Sequence, residues 1–201
     1  MNILCLRNDI GCICLLGIIG IAALSPGRAA ECVSVFEIVS GLESHQVLQC
    51  DESNRGAFRV QGESSYQGAA EVEARVLRRH VELAGFSWSK AGEAAGGAWS
   101  AHISGLLVGG PYDVEFRLVN RGGDVLVSAA VHDILVGDLW VLSGQSNLVG
   151  NGRLVNLESP HELVHNFNPC YQWEVAEEPL DSLAESFDEV HWGDAGHLEP
   201  L

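Results

Sequence analysis

Ser146 sits in the segment Ser143-Gly144-Gln145-Ser146-Asn147, directly behind the apolar run Leu139-Trp140-Val141-Leu142. A serine that ends a buried strand in a tight, glycine-containing turn has its hydroxyl lifted out of the sheet. Backbone N–H groups at the strand's carboxyl end can then hold a developing oxyanion. Serine is a weak nucleophile alone and needs a general base, usually a histidine that an acid orients. As spacing alone, Gly-x-Ser more often marks a polar turn after a strand. His161, His165 and His191 are bases by identity, each read as structural, and Asp194-Ala195-Gly196-His197 offers an acid and a base three residues apart. No metal site and no cofactor are expected.

Two kinds of element precede and surround this serine. From Val33 to about Val131 the chain reads as short strands separated by turn signals. Phe36 and Ile38 open the series, and Gln46-Val47-Leu48-Gln49 follows. Phe58 and Val60 alternate with polar neighbours, as do Val72, Ala74 and Val76, then Trp99, Ala101 and Ile103, then Val114, Phe116 and Leu118. A period of two suits strands with one buried face. Gly92–Gly97 and Gly109-Gly110-Pro111 are expected as turns, and Arg121-Gly122-Gly123-Asp124 as the turn of a hairpin that returns through Val125 and Val127. A helix over 71–84 is the competing reading. Seven or so strands in about 100 residues predict an immunoglobulin-like β-sandwich. At Ile134 the pattern changes. Leu139–Leu142 reads as a buried strand of a parallel sheet, and a loop-rich tail follows, with a short amphipathic helix through Leu180, Leu183, Ala184 and Phe187.

The stretch from Val136 to Asn147, Val-Gly-Asp-Leu-Trp-Val-Leu-Ser-Gly-Gln-Ser-Asn, closely resembles the start of the catalytic domain in the sialate O-acetylesterase family, a group of SGNH hydrolases. Leu148 stands where methionine commonly follows that block. His45-Gln46-Val47-Leu48-Gln49 resembles the family's opening strand, and Gly109-Gly110-Pro111-Tyr112 the turn before its last sandwich strands. The resemblance runs from about Gly41 to the C-terminus. It implies Ser146 as nucleophile, an acyl-enzyme, an O-acetylated carbohydrate as substrate and no metal or organic cofactor. It also implies a β-sandwich followed by the beginning of an α/β SGNH-hydrolase domain. The family's further oxyanion donors are a glycine and an asparagine in later blocks, and its His and Asp come in a final block. Only 55 residues follow Ser146 in this 201-residue chain, and no second or third block is recognisable. Asp194-Ala195-Gly196-His197 has the form of the final block but no strand leading to it, and is read as solvated loop. The expected organisation is therefore a signal peptide over 1–30, a sandwich over 31–133 and an incomplete esterase domain over 134–201, in a truncated member whose own activity is left open. The alternative is a non-catalytic secreted sandwich that binds carbohydrate or protein, with Trp88, Trp99 and Tyr112 as stacking surfaces.

Composition narrows the partners. Hydrophobic residues make up 47% and support a sizeable core. The formal charge of −16 argues against nucleic acid, whose phosphates need Lys and Arg, and against an anionic membrane surface. Ile10–Leu24 is an apolar run shorter than the roughly 20 residues of a spanning helix. Small residues at Ala29 and Ala30 follow it, so the first thirty residues read as a signal peptide and the mature chain as secreted or periplasmic, without a membrane span. Arg28 disfavours cleavage, and an uncleaved N-terminal anchor is the alternative. Cys32, Cys50 and Cys170 lie outside the signal with no Cys-x-x-Cys spacing. A Cys32–Cys50 disulfide and three thiols are both open. The residues do not indicate an oligomeric state.

Overall fold

The computed structural model describes residues 35–143 and 155–180. All regular structure there is strand: β1 (Phe36–Ser40), β2 (Val47–Gln49), β3 (Arg55–Ser64), β4 (Ala70–Arg78), β5 (Val81–Glu82), β6 (Ser89–Ala95), β7 (Ala98–Leu107), β8 (Gly109–Val119), β9 (Val125–Gly137), β10 (His165–Phe167) and β11 (Trp173–Val175). The first nine form one hydrogen-bonded sheet in the order β1-β3-β7-β6-β4-β8-β9-β2, with β5 paired to β4. Every pairing is antiparallel except β2 with β9. The sheet curls until its two ends meet: a Cβ built on Gly56 of β3 would lie 2.9 Å from the Val136 side chain of β9. A β-rich fold closed around one core fits the expected sandwich.

Alternation builds that core. In β3 every second residue from Gly56 to Ser64 is buried, and in β8 every second residue from Gly110 to Leu118. Val60, Val72, Val76, Val114, Phe116, Leu118 and Ile134 are fully buried. Trp99 on β7 stacks on Phe36 of β1, with ring centroids 4.7 Å apart, and tilts against Phe116 of β8 at 5.6 Å. The polar atoms of the buried aromatics are satisfied: Trp99 Nε1 donates to the Glu63 carbonyl and the Tyr112 hydroxyl to that of Leu107.

Residues 70–78 are a strand and not part of a helix. Val72, Ala74 and Val76 face the core, while on the outer face Glu73 lies directly opposite Arg117, and Arg75 opposite Glu115. Both pairs are closed by ion pairs. The Trp88 ring covers both guanidinium groups, with Arg75 Cζ at 4.9 Å and Arg117 Cζ at 4.2 Å from its centre. A helix would place none of these partners opposite one another. After Arg78 the chain reverses at Arg79 and His80, both at positive φ.

Two expected turns lie inside strands. Most of Gly92–Gly97 belongs to β6, and the reversal is confined to Gly96 and Gly97, at φ of 60° and 86°. Gly92 is a packing residue, since a Cβ there would collide with the backbone carbonyl of Ser100 on β7. Gly109-Gly110-Pro111 opens β8, and a Cβ on Gly110 would lie 2.7 Å from the Ile134 carbonyl oxygen. The expected hairpin turn is present: Asn120 Oδ1 accepts from the N–H groups of Gly122 and Asp124, and Gly123 takes a φ of 88°.

Trp99 and Tyr112 are 3% and 2% exposed and offer no stacking surface, while Trp88 is occupied by its two arginines. Leu139–Leu142, expected as a buried strand, pairs with nothing among the described residues. Trp140 is 82% exposed and Val141 93%. The physical reason is the end of β2 at Gln49. Beyond it the described residues hold no neighbouring strand, and no layer above or below to cover four consecutive apolar side chains.

Candidate active-site segment

β9 is the last strand before Ser146 in the sequence among the described residues. Its last turn of sequence, Ile134-Leu135-Val136, is buried, and β2 pairs with it in parallel from Val47–Leu135 to Gln49–Gly137. The partnership continues past the strand. The Cys50 N–H donates to the Gly137 carbonyl at 2.9 Å, and the Leu139 N–H donates to Gln49 Oε1 at 2.8 Å. Gln49 Nε2 also reaches the Cys50 carbonyl and Asp138 Oδ1. One glutamine thus contacts the first two residues after the strand, Asp138 and Leu139. Replacing Gln49 with alanine leaves the Leu139 N–H without its acceptor, a loss of about 1 kcal/mol. The expected outcome is faster amide exchange at Leu139 with unchanged exchange in β8.

Cys50 is a free thiol at this junction, with Sγ 3.6 Å from Asp138 Oδ1. Desolvation, the hydrogen bond to Asp138 and the charge of that carboxylate all hold its pKa above the ordinary value. These contacts favour the thiol over the thiolate. Cys32, the partner in one of the two readings left open, lies outside the described residues, and so do Ser146, His191, Asp194 and His197.

The tail re-enters description at Val155 and builds a small hairpin, β10 with β11, registered as His165–Val175, Asn166–Glu174 and Phe167–Trp173. Asn168 makes its turn: Oδ1 accepts from the N–H groups of Cys170 and Gln172. Phe167 packs against Tyr171 and Trp173. The amphipathic helix expected from Leu180 onward falls, beyond Leu180, outside the described residues.

His161 and His165 are the two predicted tail histidines within the described residues. The run His161-Glu162-Leu163-Val164-His165 has the spacing that, on a helix, would put two histidines on one zinc-binding face. His161 opens a turn in which its Nδ1 accepts from the Leu163 N–H, and His165 begins a strand, so the two rings share no helical face. Among the described residues no group of three or more His, Cys, Asp or Glu side chains is placed to hold a metal ion. His165 does structural work, donating from Nδ1 to the His45 carbonyl at 2.6 Å. Sequence spacing carried no sign of this contact, because its partners are 120 positions apart.

Residues 136–195 match the model of a carbohydrate esterase family, the sialic acid-specific acetylesterases. The match covers 60 of the chain's 201 residues. The matched segment begins at Val136, within β9, and includes Ser143-Gly144-Gln145-Ser146-Asn147, the β10–β11 hairpin and Asp194, and it stops before His197. No curated protein matches the chain. Among the described residues no helix is long and apolar enough to cross a membrane.

Proposed function

We propose that this protein is a secreted carbohydrate O-acetylesterase in which Ser146 is the nucleophile. The reading rests on one observation, the esterase-family match over 136–195. The Gly-Gln-Ser-Asn block lies inside that match, a few residues past the anchored end of β9. In this reading residues from Gly137 onward begin an α/β SGNH module, with the sandwich as its N-terminal companion, and Met1–Ala30 directs export.

The chemistry follows from the group. Ser146 Oγ adds to the carbonyl carbon of an acetyl ester on a sugar hydroxyl, and its proton passes to a general base. The carbonyl oxygen takes up negative charge, which the Ser146 backbone N–H helps to hold. Collapse of this intermediate expels the sugar oxygen, which takes the proton, and leaves acetyl-Ser146. Water then adds in the same way and releases acetate. The acid–base pair has no assignment among the described residues. An acetylated sialic acid or another acetylated sugar meets the same requirement of a small acyl group on a polyol.

The test is p-nitrophenyl acetate hydrolysis by the purified chain and by Ser146→Ala. Loss of the serine is expected to remove on the order of 10⁴ or more of the rate enhancement, and a fluorophosphonate is expected to label the unaltered chain alone. Equal hydrolysis by the two proteins would overturn the assignment.

A further inference from the structure

Four histidines and two aspartates converge where the β10–β11 hairpin meets the sandwich. The turn before β2 supplies Ser44 and His45, the β4–β5 turn Arg79 and His80, β8 Asp113, and β9 His132 and Asp133. The two β9 residues form a bulge opposite Asp113. The ties are specific. The His45 N–H donates to the His132 carbonyl at 2.9 Å, and the His132 N–H to Ser44 Oγ at 3.2 Å. Asp113 receives His132 Nδ1 at 3.0 Å on one oxygen and faces His80 Nδ1 at 3.9 Å with the other. His45 Nδ1 is buried with no hydrogen-bond partner, 3.8 Å from Asp133 Oδ2.

The hairpin docks onto this cluster through two side-chain contacts. One is the ion pair Arg79–Glu162, exposed on both sides and hence weak. The other is His165, whose Nδ1 donates to the His45 carbonyl and whose ring stands edge-on to the His45 ring at 5.5 Å. We propose that His165 is a proton-operated latch, which holds the 161–176 hairpin on the sandwich while neutral and releases it when protonated. A neutral imidazole with its hydrogen on Nδ1 satisfies the carbonyl. A second proton puts a positive charge in a half-buried position against another imidazole. The nearest carboxylate, Asp133, stands across His45, and Glu162 is engaged by Arg79.

Desolvation by burial holds the His165 pKa below its ordinary value of 6.5, and the charge of His45 acts in the same direction. The His45 carbonyl, Asp133 and the Glu162 backbone oppose them. The docked hairpin therefore binds fewer protons than the released one between the lowered pKa and 6.5. Docking is complete above 6.5 and is lost as pH falls through that window, by up to about tenfold per unit. His80 and His132 both face Asp113 and neither contacts the hairpin. The hairpin lies wholly within the matched segment, so the latch makes the seating of that segment on the sandwich depend on pH. It does not depend on Ser146 being catalytic.

A two-stranded hairpin is marginal on its own in water, so release exposes its ladder amides. Hydrogen exchange of the full chain is measured at pH 7.5 and 5.5 and corrected for intrinsic exchange. Protection over 164–176 is expected to fall at least about threefold, with β4 and β8 unchanged. His165→Asn keeps a donor at the Nδ1 position without a titrating group, and is expected to abolish the difference. His45→Asn keeps both the acceptor carbonyl and a residue suited to φ of 65°, and is expected to reduce it. An NMR titration of His165 in the unaltered chain reads the latch directly and is expected to midpoint below 6.5. A midpoint at or above 6.5, unchanged protection in the unaltered chain, or a pH dependence that survives in His165→Asn would each overturn the proposal.

Discussion

Phe116→Ala is expected to destabilise the curled sheet by about 3–5 kcal/mol. Phe116 is fully buried on β8, tilted against Trp99, which in turn stacks on Phe36. The three rings come from β8, β7 and β1, none of which is hydrogen-bonded to another of the three: β3 lies between β1 and β7, and β6 and β4 lie between β7 and β8. Removing the Phe116 ring leaves a cavity beside Trp99, between strands whose backbones are tied by hydrogen-bond ladders and cannot collapse to fill it. The measurement is denaturant unfolding followed by tryptophan fluorescence, with an expected fall in the urea midpoint of roughly 2 M. Phe116→Leu keeps most of the volume and is expected to lose less than about 1.5 kcal/mol. Equal losses for the two variants would show that the site relaxes freely and that the packing argument is wrong.

Gly92→Val is expected to cost about 3 kcal/mol or more, by steric conflict instead of a cavity. Gly92 pairs with Ala101 on β7 and with Val72 on β4, where the β4–β6 register shifts. Any Cβ there overlaps the Ser100 carbonyl, a backbone atom that cannot rotate aside, so β6 and β7 must separate to admit a side chain. Gly137→Ala is the control, because a Cβ at Gly137 meets nothing within 4 Å and no left-handed φ is required. The predicted contrast is a large drop in melting temperature for Gly92→Val and almost none for Gly137→Ala.

These variants mark the boundary between what periodicity reveals and what it hides. Val60, Val72, Val114, Phe116 and Leu118 were readable as core residues, because a half-buried strand alternates whatever its neighbours are. The Asn120–Asp124 turn was readable because two glycines between alternating runs leave few backbone options. The glycines at 92 and 110 were misread as turns. A glycine looks the same whether it supplies a positive φ or makes room for another strand: Gly92 only makes room for Ser100, whereas Gly110 does both, at a φ of 137° against the Ile134 carbonyl. Leu139–Leu142 was misread for a related reason: apolarity signals a demand for cover, and cover is supplied by other elements.

For the candidate site the division is similar. The Ser143–Asn147 block, and with it the likeness to carbohydrate esterases, is a property of contiguous residues and could be read from them directly. Gln49 holding Leu139, Asp138 beside Cys50, and His165 docked on His45 join residues from about 90 to 120 positions apart. The order of residue types along the chain determined the strand-rich class, the buried face of each strand and the esterase block behind β9. The curled sheet decided which buried faces meet, which glycines tolerate no side chain, and which histidine holds the hairpin. Those properties depend on distances between chain segments, and local spacing carries no information about them.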